Sequence, residues 1–166
     1  MRETAGDLER LQALIDRSIE GAGAFLRSSF QMPEHSLSAE QLAAHLQGPL
    51  TVALATTTAC GEPRVAPIGA LFLRGAFCLP SVAQAARARH LARRPAASLA
   101  YFEGNDLAVV AHGDVAIVPD GDPAFDELDE LQVAAGMESP RGWSGDAVYL
   151  RLEADRLFTY ARDATV

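Results

Sequence analysis

Four arginines, Arg87, Arg89, Arg93 and Arg94, crowd into one short stretch of a chain whose net charge is −8. Read as a helix, this stretch puts Arg87 and Arg94 a heptad apart on one face and stacks Arg89 and Arg93 on another. Ser81 falls where that helix is expected to begin. A hydroxyl, free backbone N–H groups and the positive end of the helix dipole would meet there. Two readings follow. One is a solvated face balancing nearby acids. The other is a cradle for a phosphate monoester, which arginine grips bidentately.

Composition removes several chemistries. All fourteen Lys/Arg residues are arginine. With no lysine amine, the chain supports neither a pyridoxal Schiff base, nor a Walker-type phosphate loop, nor a lysine nucleophile. The negative charge argues against nucleic-acid or anionic-membrane binding. Two cysteines, Cys60 and Cys78, supply neither a disulfide framework nor a zinc set. His35, His45, His90 and His112 are scattered, so no metal site is expected. His112-Gly113-Asp114 reads as structural. The acidic run from Asp120 to Glu130 lacks the ligand order of a calcium loop and reads as a solvated helix turning Phe125, Leu128 and Leu131 inward. Ser144 sits in no nucleophile elbow and has no acid–base partner near it in sequence, which excludes a hydrolase. Apolar stretches stop short of membrane-spanning length, and the charged N-terminal segment is unlike a signal peptide. The expected location is cytoplasmic.

The elements that must position these residues follow from periodicity. Leu8, Leu11, Ile15, Ile19, Phe25 and Leu26 form an apolar stripe from Asp7 to about Phe30, a helix that Gly21 and Gly23 loosen. Ser38 and Gln41 form a capping box for a second helix ending near Gln47. From Leu50 to Thr56 the period becomes that of a strand. Arg64 to Gly69 reads as a second strand, and Ala70–Leu73 with Ala76–Leu79 as a hairpin turning at Arg74-Gly75. A third helix is expected from Val82 to about Arg93, stopped by Pro95. Ala97–Phe102 and Leu107–Val118 form another hairpin, followed by an acidic helix from Phe125 to about Ala135. Two closing strands are expected at Ala147–Leu152 and Leu157–Tyr160. The fold class is α+β, mainly β: a six-stranded antiparallel split barrel of Greek-key type with an N-terminal helical extension. A decorated β-sandwich is the alternative. Residues 1–47 read as the extension and 48–166 as the barrel, within a single domain overall.

Leu54-Ala55-Thr56, Gly61-Glu62-Pro63-Arg64-Val65-Ala66-Pro67-Ile68-Gly69, Ser81, and Arg87-Ala88-Arg89-His90-Leu91 with Arg94-Pro95 occur in a telling order. Together they resemble the pyridoxamine 5′-phosphate oxidase-like superfamily over residues 40–118. That resemblance implies an FMN-binding split barrel, dimeric, with the flavin at the subunit interface. By position, Arg64 and the backbone of Val65, Ala66, Pro67 and Ile68 would border the isoalloxazine ring. Ser81, Arg87 and Arg89 would hold the phosphate. Trp143, in a glycine-rich loop, reads either as core packing or as a rim over the flavin from the partner subunit; the rim is the preferred reading. Arg87 stands where lysine is common and His90 where asparagine is common, the latter bearing on ring contacts. The segment Trp143–Val166 lacks the basic substrate-gripping motif of true pyridoxamine phosphate oxidases, so oxidation of vitamin B6 phosphates is not expected.

The functional expectation is an FMN-dependent oxidoreductase acting on an unidentified small molecule, the cofactor carrying the chemistry, with no catalytic side chain assigned. Two alternatives stand beside it: a reductase using the deazaflavin coenzyme F-420, and a non-catalytic flavin- or haem-binding protein.

Overall fold

The computed structural model describes residues 3–163. Residues 1–2 and 164–166, at the outer ends of the segments expected at 1–47 and 48–166, lie outside the described residues. Helices α1 (Ala5–Gly21) and α2 (Ala24–Ser29) are followed by α3 (Ala39–His45). Then come strands β1 (Leu50–Thr57), β2 (Pro63–Leu73) and β3 (Ala76–Val82), helix α4 (Ala86–Leu91), and strands β4 (Ala96–Glu103) and β5 (Leu107–Pro119). Helix α5 (Pro123–Ala134), a single 3-10 turn at Pro140–Gly142 and strand β6 (Ala147–Ala161) complete the order.

The six strands close into an antiparallel barrel in the order β1-β2-β3-β6-β5-β4. Because β4 lies beside β1 and β6 beside β3, the connection through α4 crosses one end of the barrel. Alternation along β1 turns Leu50, Val52, Leu54 and Thr56 inward.

Local signals set the helix boundaries. The N-terminal stripe divides into α1 and α2 at Gly21–Gly23. Thr4 and Asp7 form a capping box at α1, and Ser38 and Gln41 form the expected one at α3. Leu11, Leu14 and Ile15 of α1, with Leu42 and Leu46 of the α3 region, join the same core as Leu54, Leu99, Val109 and Leu157 of the barrel. Burying each such side chain stabilises by roughly 1.5–3 kcal/mol. The N-terminal segment also satisfies the edge of β6 that β3 leaves free. Leu157 N donates to Ser18 Oγ at 2.9 Å, Leu37 N to Thr159 Oγ1 at 2.8 Å, and Ala161 N to His35 O at 2.8 Å.

Three elements differ from expectation. The strand expected from Arg64 to Gly69 and the hairpin arm expected from Ala70 to Leu73 are one strand, β2. The strand β3 runs on through Ser81 and Val82, which pair with Val148 and Ala147 of β6, so the third helix begins at Ala86 and ends at Leu91. Cross-strand pairing outweighs the local capping signal of Pro80-Ser81. Ser81 is therefore a strand residue, and Arg93 and Arg94 lie beyond the helix. The two closing strands are one, β6, kept continuous by a bulge. His112 pairs with Arg156 and Gly113 with Ala154, leaving Asp155 as the extra residue. Gly113 is required there, since a Cβ would sit 2.0 Å from Glu153 O.

Candidate functional site

Strand β2 pairs with β1 along Pro63–Ala70 but with β3 only along Leu71–Leu73. Past Cys78 the two strands part, so β2 offers a free edge from Pro63 to Ala70 on the β3 side. Helix α4 crosses the barrel end beside this split. Between them lies a cavity of about 580 Å³, within the range of sites that bury small organic ligands. Leu54, Thr56 and Thr58 line it from the β1 side, Arg64, Val65 and Ala66 from β2, and Ala85, Ala86, Arg87 and His90 from α4 and the residue before it.

Of the residues expected at a site, Arg64, Val65, Ala66 and Arg87 come together here. Arg64 is exposed; its Nη2 donates to Glu62 Oε2 at 2.7 Å and its Nη1 to Pro63 O at 3.1 Å. Arg87 is partly buried, and its Nε donates to Ser81 Oγ at 3.4 Å. Ser81 is 1% exposed and stands behind Arg87 rather than on the cavity wall. Pro67 and Ile68 lie further along β2, with Ile68 turned into the core. Arg89 is exposed and does not line the cavity. Trp143 is 38% exposed and does not line it either. The loop of Trp143 is nonetheless fastened beside the site. Ala83 N donates to Asp146 O at 2.8 Å, Gln84 Nε2 to Asp146 Oδ2 at 2.8 Å, and Asp146 N to Gln84 Oε1 at 3.0 Å.

The charge pattern is the informative part. Arg10, Arg64, Arg74, Arg141, Arg151, Arg156 and Arg162 each meet a carboxylate. Among the described residues, Arg17 and Arg27 of the N-terminal helices and Arg87, Arg89, Arg93 and Arg94 meet none; the last four cluster at and after α4, and no carboxylate lines the cavity. In an acidic protein this leaves positive charge beside a wall of small apolar residues, two threonines and His90, with no carboxylate among them, which suits an anion. Arg141 shows the contrast. It is held by Asp120, Asp126 and Asp129, packs over Phe125 at 4.6 Å and pins α5 to the 3-10 turn. The acidic run is thus a structural clamp around a buried Phe125 and Leu128.

Thr58, Ala85 and Ala86 are cavity residues that the sequence did not single out, whereas Leu54, Thr56 and His90 stood in the motifs of the resemblance without being assigned to the site. His90 is three positions after Arg87 on α4, a spacing that places both on one helix face. That signal was available. Its Nδ1 lies 3.2 Å from Thr56 Oγ1. A second cavity of about 410 Å³ lies at the outer end of β1 and β4, lined in part by Ser98, His112 and Arg156. There His112 Nδ1 is 2.7 Å from Ser98 Oγ, and burial, then Arg156, hold the imidazole below its ordinary pKa. Cys60 is exposed and Cys78 buried. Among the described residues no three His, Cys, Asp or Glu side chains are grouped to hold a metal ion, and no helix is long and apolar enough to cross a membrane.

Comparison with known proteins agrees with the architecture. The family model described as pyridoxamine 5′-phosphate oxidase matches residues 38–160. A conserved hypothetical protein from Mycobacterium tuberculosis superposes with a TM-score of 0.68 at 19% identity, covering 80% of this chain and 90% of that one. A protein named as an F-420 reductase gives 0.56 at 20% identity over 69% of this chain and 93% of that one. A pyridoxamine 5′-phosphate oxidase-related, FMN-binding protein from Nostoc punctiforme gives 0.51 at 15% identity over 66% and 72%. No curated protein matches the chain.

Proposed function

This chain belongs to the pyridoxamine 5′-phosphate oxidase family, and from that premise we propose that it is an FMN-dependent oxidoreductase acting on a small organic molecule. The observation that carries the reading is Arg87: a guanidinium without a carboxylate partner among the described residues, supported by Ser81, on the wall of the cavity between the free edge of β2 and α4. The residues present fit a flavin phosphate. Arg87 would take it as a charge-assisted pair. Arg64, across the strand pair from Thr56, is exposed and would release Glu62 at modest cost to reach the same ligand. The free backbone edge of Val65–Ile68 would meet the polar rim of the ring system, whose electronics such groups tune. When bound, the flavin supplies the two-electron chemistry. The chain's own part is to fix the phosphate, hold the ring against β2 and exclude water with Leu54, Val65 and Ala85.

The protein works as a homodimer with the cofactor at the interface. Support comes from the outer face of the barrel. Ala53, Ala55, Ala100 and Val110 stand side by side there in the strand register, next to Val65, 72% exposed, and Phe102, 65% exposed. Trp143 would then close over the partner's flavin.

Coenzyme F-420 is the second reading. Arg89, Arg93 and Arg94 leave unpaired positive charge beyond the cavity, where a cofactor with further anionic groups would extend, and one protein of the same fold is named as an F-420 reductase. An absorbance spectrum before and after adding FMN, with size-exclusion chromatography, tests the proposal. A yellow dimer supports it; a colourless dimer that takes the deazaflavin instead selects the second reading; a monomer that ignores both contradicts the reading.

A further inference from the structure

At the end of β2 opposite the cavity beside α4, helix α1, the β2–β3 turn and strand β6 enclose a groove of about 500 Å³. We infer that this groove is a second binding site, for a small organic molecule with an anionic group at each end. It shares no lining residue with the first cavity and does not depend on the flavin reading.

Four guanidiniums line the groove from three elements: Arg10 and Arg17 on α1, Arg74 in the turn and Arg151 on β6. Among the described residues only two carboxylates, Asp7 and Glu153, stand with them. Asp7 is 5% exposed and already engaged. One of its oxygens accepts from the Thr4 backbone N–H and hydroxyl, the other from Arg10. Arg17 meets no carboxylate among the described residues. Arg151 Nε is buried without a hydrogen bond, and the Glu153 carboxylate 3.4 Å away is 66% exposed. Arg74 pairs with Glu127 of α5 at the surface. Such exposed pairs hold weakly, so an incoming anion can share or replace them. In a chain of net charge −8 the groove is a local reversal of sign.

The turn and the helix set the shape of the ligand. Arg74-Gly75 is a two-residue turn between paired Leu73 and Ala76, with φ of 51° and 79°. Asparagine is the usual residue at its first position; arginine there adds a guanidinium to the groove. The tip rests on α1, where a Cβ on Gly75 would lie 3.9 Å from Leu11. Arg10 and Arg17 share the helix face of Leu14 and are two turns apart, about 10 Å along the axis. The groove thus has a positive pole at each end, Arg10 with Arg74 and then Arg17, beside Leu11, Leu14 and Ala154. An elongated dianion with an apolar middle matches that pattern. A compact anion leaves one pole empty.

The probe is octanedioate, an apolar chain with a carboxylate at each end, titrated by calorimetry into the full chain at low salt. One molecule should bind per chain whether or not FMN is present, and more weakly as salt is raised. Octanoate, with the same chain and one carboxylate, should bind about fivefold more weakly. Arg17→Gln and Arg74→Asn, the latter a residue suited to the turn, should each weaken octanedioate by a similar factor. Arg93→Ala, beyond α4, should leave it unchanged, and neither groove variant should alter FMN affinity. No octanedioate binding at millimolar concentration, or binding that both groove variants retain in full, overturns the proposal. Equal binding of octanoate overturns the two-pole ligand, and displacement by FMN overturns the separate site. A wild type that ignores FMN but takes octanedioate in this manner supports the groove while removing the flavin reading.

Discussion

Replacing Arg87 with alanine removes the side chain on which the proposed cofactor site depends. Among the described residues Arg87 makes one side-chain hydrogen bond, the 3.4 Å approach to Ser81, and no ion pair. Its loss therefore takes little from the fold. Its value lies in the ligand. A hydrogen bond to a charged group contributes about 1.5–3 kcal/mol, so Arg87→Ala raises the dissociation constant for FMN roughly 10- to 150-fold. Arg93→Ala is the matched control. It removes the same charge from an exposed position past the end of α4, where screening over about 10 Å at 0.1 M salt limits the effect to less than about threefold. The assay is quenching of FMN fluorescence at fixed ionic strength, with urea melts showing that both variants keep wild-type stability. Equal FMN affinity in the two variants would falsify the cradle assignment.

Three further outcomes follow from the packing and the charges. Gly113→Ala drives a Cβ to 2.0 Å from Glu153 O and 2.8 Å from Ala154 Cα; a clash with backbone cannot relax by a rotamer change, so a urea melt should show a loss of about 2–4 kcal/mol. Burial pushes the Cys78 thiol up to about 12, so a thiol reagent at pH 8 titrates Cys60 in the native protein and reaches Cys78 only on unfolding; rapid labelling of both would show that β3 is less enclosed than it is here. The Thr4 backbone N–H, then its hydroxyl, hold the Asp7 carboxyl below its ordinary 3.8. Because the folded pKa is depressed, that stabilisation is present above the unfolded value and lost as pH falls below it. Asp7→Asn should therefore cost roughly 1 kcal/mol at pH 7 and little at pH 2, and a penalty constant across that range would refute the capping account.

Short-range features of the fold were legible in the sequence. The capping box of Ser38 and Gln41, the turn at Arg74-Gly75 and the acidic helix with Phe125 and Leu128 inward each rest on neighbours a few residues apart. The start of α4 was not, because Ser81 and Val82 are held extended by Val148 and Ala147, far away in the chain. Nor was the continuity of β6, which depends on Gly113 admitting the bulge opposite it. For the same reason the docking of α1 on the barrel core lay beyond reach, although its apolar stripe was plain.

The site divides in the same manner. Arg64, Val65, Ala66 and Arg87 were readable from motif order and do converge on the cavity. Ser81 was read as opening the helix; it is instead a buried strand residue whose hydroxyl accepts from Arg87 Nε. Thr56 was visible within Leu54-Ala55-Thr56, yet its bond to His90 depends on α4 crossing the barrel end. The resemblance grouped Arg89 with Arg87, although their spacing already put them on different helix faces; Arg89 is exposed and does not line the cavity.

The central claim is that the cavity recognises a phosphate on a flavin. Parallel titrations with FMN and with riboflavin, which share the ring system and differ in the phosphate, test it most directly. The account predicts that FMN binds at least about tenfold more tightly, the contribution of a single charge-assisted pair, and that this preference disappears in Arg87→Ala. Equal affinities of the wild-type protein for FMN and riboflavin would contradict it.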